Sequence, residues 1–275
     1  VDATGGNDTN SGTSEATAWK TISKVNSISF FPGDKILFKR GGVWREPLIT
    51  PVSGSSGKPI VFADYGSGSK PIISASDLIT SWTQYSANVW KTAPLGAVAY
   101  QVFFNGVRGT PATSLAGVDG PNKWYADSSN VVYVYSEDNP SSLYTNPGIE
   151  VGQRSQNIGI YERSYLAIQN LVAKHTNAPN TSSAAGISVQ YSGSDIVIDG
   201  CEVIDSMRNS ISVGPLSNVT VSNNLISGGG LYGIQFWHNN PTPQVNIIIA
   251  NNTITNLGID SQVVGAAIRT TGYSN

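Results

Sequence analysis

The stretch VTVSNNLISG, residues 219–228, recurs in pattern as IIIANNTITN at 247–256. In each, apolar residues alternate with polar ones (Val219 and Val221; Ile247 and Ile249), an Asn-Asn pair follows, and a second short apolar piece begins. Two more segments fit the same frame, YLAIQNLVAKH (165–175) and IVIDGCEVID (196–205). Placing Ile168, Ile198, Val221 and Ile249 in one column puts Asn170, Gly200, Asn223 and Asn251 in the next but one, followed by Leu171, Cys201, Asn224 and Asn252. After each segment comes a further apolar piece, AGISV (185–189), NSISV (209–213), YGIQF (232–236) and AAIRT (266–270), which aligns Ile187, Ile211, Ile234 and Ile268. Alternation with a period of two is the mark of strands with one buried face.

The spacings define the architecture. Ile198 to Ile211 and Val221 to Ile234 are 13 residues each, and Ile198 to Val221 is 23. Ile168 to Ile187 and Ile249 to Ile268 are both 19, so six extra residues enter without disturbing the anchors. Insertions between intact anchors are loops on a solenoid. Strands this short, punctuated by Gly and Asn, predict parallel β-coils stacked about 4.8 Å apart. Asn224 and Asn252 are expected at a bend that wants a residue tolerant of left-handed backbone, with their amides laddered up the stack.

These repeats resemble those of the right-handed parallel β-helix, or pectin-lyase-like, superfamily. The earlier segments DATGGNDTNSGTSEATAWKTI, PGDKILFKRGGVWRE and SGSSGKPIVFADYGSG are similar to the opening of secreted bacterial members, many of which act on polysaccharides, and GPNKWYADSSNVVYVYS (120–136) to an inserted segment in some of them. The resemblance implies an all-β, right-handed parallel β-helix with an N-terminal capping helix. Residues 14–28 are predicted to be that helix, with Ser14 as cap and Trp19, Ile22 and Val25 on one face. Residues 33–75 read as early coils, 80–150 as a β-rich insertion and 151–275 as regular coils, all in one domain spanning 1–275. The last coil, AAIRTTGYSN, carries no capping segment. It is therefore expected either to be truncated, continuing into a further C-terminal domain, or to be covered by end-to-end self-association.

Composition narrows the function. Charged residues make up 12% of the 275, with 16 Lys and Arg against 18 Asp and Glu, so no basic footprint for nucleic acid is present. No apolar run approaches the ~20 residues of a membrane span. The lone Cys201 allows neither an internal disulfide nor a zinc cluster, and no clustered acids suggest a calcium site, so neither metal nor cofactor is expected. A surface of Ser, Thr, Asn, Gly and Tyr suits a secreted or cell-surface bacterial protein, and the chain opens on polar VDATGGNDTN.

Candidate chemistry lies on outward side chains. One outward column reads Ser188, Ser212, Gln235, Arg269 and the next Gln190, Gly214, Trp237, Thr271, which describes a sugar-binding groove. Its expected binding residues are Trp237, Gln235, Arg269, Gln190 and the adjacent His238. A loop column holds His175, Asp205, Gly228 and Asn256. It predicts His175 as a general base oriented by Asp205, with Lys174 or Arg208 neutralising a uronate carboxylate. Hydrolysis needs two carboxylates, for which Asp199 with Asp205 is the candidate pair. Two functions follow: a polysaccharide-binding or polysaccharide-degrading protein (lyase or glycoside hydrolase), or a non-catalytic adhesin-like or filament-forming module.

Overall fold

The computed structural model describes residues 1–178, 184–237, 244–258 and 266–270. Its strands form three parallel six-stranded sheets. The first sheet holds Lys35–Lys39, Ile60–Tyr65, Leu166–Gln169, Ser194–Asp199, Ser217–Ser222 and Ile247–Ala250. The second holds Val43–Trp44, Ile72–Ser74, Val172–Lys174, Glu202–Ile204, Leu225–Ser227 and Thr253–Thr255. The third holds Leu48–Ile49, Gln156–Tyr161, Ala185–Gln190, Asn209–Val213, Tyr232–Phe236 and Ala266–Thr270. The chain visits the sheets in rotation, so each coil contributes one strand to each.

The registers are the columns that the sequence aligns. Ile168 pairs with Ile198, Ile198 with Val221 and Val221 with Ile249; Ile187 pairs with Ile211, Ile211 with Ile234 and Ile234 with Ile268. Inward residues of all three sheets merge into one core that runs from Ile22 and Phe38 to Phe236. Each fully buried Ile, Val or Phe side chain contributes roughly 1.5–3 kcal/mol by leaving water.

Corners are made by residues in left-handed backbone. Between the first and second sheets stand Asn170 (φ 54°), Gly200 (62°), Asn223 (55°) and Asn251 (54°). Asn and Gly are the residues that adopt this conformation most readily. This corrects the expected role of the Asn pair by one position: the first Asn turns the chain, and the second points inward. There the ladder forms as expected, Asn224 Nδ2 donating to Asn252 Oδ1 at 2.9 Å. Asn224 also accepts from the Cys201 amide at 2.8 Å and donates to the Ile198 carbonyl at 3.0 Å.

The predicted helix over 14–28 is corrected to a single α-helical turn and a half, Ile22–Asn26, preceded by a 3-10 turn at Glu15–Thr17. Long-range hydrogen bonds hold the intervening residues extended. Asp8 accepts from the Lys20 and Thr21 amides at 2.8 and 2.9 Å, and the Asn7 amide donates to the Ala18 carbonyl at 2.9 Å. Thr21, not Ser14, is the N-cap, accepting from the Lys24 amide at 3.0 Å. The short helix still covers the first coil, with Ile22 and Val25 buried against it.

The insertion leaves after Ser74 and re-enters at Gln156, replacing the corner between the second and third sheets of one coil. Its neck is an antiparallel pair, Ser76–Ile79 with Ile149–Gly152, so it is slightly wider than the expected 80–150. It contains a four-stranded and a five-stranded sheet around a core of its own that includes Phe104, Trp124, Val132 and Val134. Among the described residues no helix is long and apolar enough to cross a membrane.

Candidate functional site

The corner between the second and third sheets carries His175 (φ 67°), Asp205 (54°), Gly228 (71°) and Asn256 (53°). This column turns the chain, and the insertion packs on it. His175 and Asp205 stand on adjacent coils, the His175 amide donating to the Ile204 carbonyl at 3.0 Å, but their side chains take separate partners. Asp205 accepts from Arg108 Nη2 of the insertion at 2.9 Å, and the same nitrogen donates to the Gly228 carbonyl at 2.9 Å. The His175 ring stacks on Phe103 with centroids 3.6 Å apart, and its Nδ1 lies 3.0 Å from Ser76 Oγ. The expected His–Asp base pair is therefore corrected: two insertion side chains, Phe103 and Arg108, claim the two groups first.

Beside His175 lies Glu150, which is 0% exposed. Arg45 Nη1 reaches its carboxylate at 2.5 Å, Lys174 Nζ at 3.4 Å and His175 Nδ1 at 3.7 Å. Lys174 is thus the counter-ion of a buried acid. The imidazole, 2% exposed, is held well below its ordinary 6.5 by burial, then by the positive charges of Lys174, Arg108 and Arg45. A neutral, covered imidazole is an anchor, not an exposed base. Sequence reasoning missed Glu150; an acid between Ile149 and Val151 in an apolar strand is the signal that could have found it.

Asp199 accepts from Ser222 Oγ and Asn223 Nδ2, both at 2.7 Å, on the first sheet. The whole of strand Glu202–Ile204 separates it from Asp205, and the structure does not bring the two acids together. Arg208 stands at the corner before the third sheet, its carbonyl accepting from the Leu231 and Tyr232 amides at 2.8 and 3.1 Å. No group of three or more His, Cys, Asp or Glu side chains among the described residues is placed to hold a metal.

The structure does bring Gln190, Gln235, Trp237 and Arg269 to one face, the outside of the third sheet. Alternation with the buried Ile187 and Val189, Ile211 and Val213, and Ile234 and Phe236 turns Ser188, Gln190, Ser212, Gly214, Gln235 and Trp237 outward. Gln190 Nε2 donates to Ser188 Oγ at 2.6 Å. Gln235 pairs in register with Arg269 on the next coil, whose guanidinium lies 4.6 Å over the Tyr232 ring and donates to its hydroxyl. The Trp237 indole is half-buried and lies against Gly214, where a Cβ would come 3.2 Å from Cζ2. At the same rim, one column on from Tyr161, Gln190 and Gly214, Tyr191 is 58% exposed with its ring 6.0 Å from that of Tyr161. His238 and Thr271 lie outside the described residues.

Sequence reasoning missed one member of this face. Asn209, at the head of its strand, departs from the alternation: it pairs with Tyr232, whose ring lies against the outward Arg269, while a Cβ at the intervening Gly233 would point at Ile254 of the core. Asn209 is 0% exposed, and neither its amide nitrogen nor its amide oxygen has a hydrogen-bond partner. Ser212 Oγ and Trp237 Nε1 are also buried without partners. Buried polar atoms are nearly always satisfied, and atoms without partners also occur elsewhere, among them Trp124 Nε1 and Ser206 Oγ, so those on this face are positions where water or another polar group is expected.

Three parallel sheets stacked coil on coil around one apolar core define a parallel β-helix. Residues 125–275 match the family described as right handed beta helix region, and the chain belongs to it. Among solved structures it is similar to XylC in complex with xylose, at a TM-score of 0.76 and 18% identity over 98% of this chain and 56% of that one. It is also similar to the GH136 lacto-N-biosidase from Eubacterium ramulus (TM-score 0.57, 18% identity, 92% of this chain and 40% of that one) and to pectate lyase Pel9A (0.51, 15%, 96% and 56%). Among curated proteins, the lacto-N-biosidase of Bifidobacterium longum subsp. longum is 33% identical over 107 residues, covering 36% of this chain and 7% of that protein. The chain spans about half the length of XylC and a small part of the curated lacto-N-biosidase. With the solved structures the likeness is one of fold.

Proposed function

We propose that the chain is a polysaccharide-binding β-helix protein working outside the cell or at its surface, with the glycan lying along the outer face of the third sheet. The observation that carries this reading is the coincidence on one face of an aromatic rim (Tyr161, Tyr191, Trp237) with buried polar atoms that lack partners (Asn209, Ser212, Trp237 Nε1). Aromatic faces stack on pyranose rings, and amides and hydroxyls exchange hydrogen bonds with sugar hydroxyls. From Tyr161 to Trp237 the column climbs three coil steps, about 14 Å at ~4.8 Å each, long enough for several sugar units. The described face carries no carboxylate, whereas glycoside hydrolysis asks for two, roughly 5–10 Å apart. Binding is therefore the activity assigned to this face, and cleavage, by hydrolysis or elimination, is assayed beside it. In this reading His175, Lys174 and Asp205 hold the insertion alongside the groove.

Binding to a panel of oligosaccharides, followed by calorimetry, tests the proposal. Trp237→Ala should weaken the best ligand about fivefold or more, since an aromatic contact contributes ~1 kcal/mol beyond its buried area. A ligand bound equally well by wild type and Trp237→Ala would place the glycan elsewhere on the coil.

A further inference from the structure

The groove has an unusual electrostatic character that names its ligand class. We infer, resting on the proposal that the third sheet binds a glycan, that the glycan is uncharged: a neutral polysaccharide or its N-acetylated relatives, not a polyuronate. Apart from the aliphatic Ile49 beside Gly159, the outward residues that form the groove are amides, hydroxyls, aromatics and glycines, with Arg269 as the single charged side chain among the described ones. That guanidinium is already engaged, stacked on Tyr232 and donating to its hydroxyl.

The cations that stand nearest are committed as well. Lys174 faces Glu150, Arg108 faces Asp205, and Arg154 Nη2 faces Asp77 at 2.6 Å. Arg163 donates to the Pro51 and Glu162 carbonyls, both at 3.1 Å. Arg208, at the corner that opens onto the sheet, has partners of its own. The corner segments YSG (191–193) and GPL (214–216), and the stretches PNTSS (179–183), HNNPTP (238–243) and TGYSN (271–275), contain no Lys or Arg in sequence. In IDSQVVG (259–265) the only charge is the acid Asp260.

A polyuronate brings one carboxylate per sugar. Laying several of them on this face strips water from each, and an unpaired carboxylate costs far more to desolvate than a hydroxyl. Strong carboxylate recognition uses a guanidinium fork with both donors free, and no described side chain of the face offers one. Sugar hydroxyls and ring faces need what is present: the Gln235 amide and the half-buried Trp237 indole at the surface, with the covered Asn209 amide and Ser212 hydroxyl beneath them. A neutral sugar also lacks the carboxylate-activated C5 proton that elimination removes, so any cleavage of such a ligand is hydrolytic.

The test measures binding of neutral oligosaccharides (xylo-, gluco-, galacto- and N-acetylhexosamine series) and of oligogalacturonate and oligoguluronate to the same protein, at low and at high salt. The inference expects a neutral ligand whose Kd changes less than about twofold with salt, and uronates bound at least tenfold more weakly, as screening acts only on charged partners. Gln235→Lys adds a cation beside Arg269 and should create salt-sensitive uronate binding that the wild type lacks. Tight, salt-sensitive uronate binding that Trp237→Ala abolishes would overturn the neutral assignment while leaving the groove in place. Failure to bind any glycan of either class, or binding that Trp237→Ala leaves intact, would remove the groove itself.

Discussion

Replacing Asn224 by alanine tests whether the inward amide ladder holds neighbouring coils together. Asn224 is 2% exposed. Its Oδ1 takes the Cys201 amide at 2.8 Å, and its Nδ2 serves both the Ile198 carbonyl at 3.0 Å and Asn252 Oδ1 at 2.9 Å. Alanine leaves a buried N–H and a buried C=O without partners, at about 1–3 kcal/mol each, so roughly 3 kcal/mol in all is expected. The readout is built in: Cys201 is the only cysteine, is fully buried, and has its thiol pushed up to about 12 by that burial. It can be alkylated only when the coil opens. At about tenfold per 1.4 kcal/mol, Asn224→Ala should label Cys201 about a hundredfold faster than wild type under native conditions. Asn252, one coil further and only partly buried, can exchange its bonds for water. Asn252→Ala should therefore cost about 1 kcal/mol and accelerate labelling roughly fivefold. Labelling of Asn224→Ala within threefold of wild type, or equal acceleration by the two variants, would refute the reasoning.

Glu150→Gln keeps the shape of the buried acid and removes its charge, leaving Arg45 and Lys174 without a counter-ion; because both cations keep some solvent, a loss near the low end of the usual range, about 3 kcal/mol, is expected in denaturant unfolding. The same buried cluster makes stability depend on pH through His175. Its folded pKa is depressed, so the unfolded chain binds a proton below about 6.5 that the folded one does not; stability is fully present above that pH and is lost as pH falls, by at most about 1.4 kcal/mol per pH unit. His175→Asn, which retains a side chain suited to left-handed backbone, should flatten that slope between pH 6.5 and 5 in thermal unfolding scans, and an unchanged slope would assign it to other groups.

Register was legible in the sequence because two independent signals agree along each coil. Inward Ile and Val recur with period two, and Asn or Gly recurs where the backbone turns left-handed, so aligning one aligns the other. Where a residue type satisfies two demands, the reading slipped. Asn serves both as a left-handed corner and as an inward ladder amide, and the pairs Asn223–Asn224 and Asn251–Asn252 do one job each, which spacing alone does not apportion. The helix over 14–28 was misjudged for another reason. Trp19, Ile22 and Val25 fit a helical face, but Asn7 and Asp8 hold the chain around residues 18–21 extended through hydrogen bonds that local periodicity does not encode. Of the groove, Gln190, Gln235, Trp237 and Arg269 were legible because their outward position follows from alternation. Asn209 was not, since nothing in the sequence shows that its amide is buried without a partner.

The scarcity of charge explains why the corner was misread and why the proposed groove falls on the third sheet. Only 11 of the 34 charged residues fall in 151–275, which made each of them look like chemistry. The structure spends several on docking instead. Lys174 and Asp205 pair with Glu150 and Arg108 of the insertion, Arg154 pairs with Asp77 across the insertion's own neck, and Glu202 pairs with Lys70 of an early coil. These partners lie far away in sequence and follow no repeat, so no alignment of coils could reveal them. The insertion adds no strand to the three coil sheets, so no coil register fixes its seat. Ion pairs at known corner positions supply that register. Once the ionic groups are used in this way, the neighbouring third sheet is left with hydroxyls, amides and aromatic rings. The use of charge for docking and of neutral polar groups on the third sheet is thus a single arrangement: the ionic residues that seat the insertion are absent from that face, which is what the proposed binding of an uncharged sugar chain there requires.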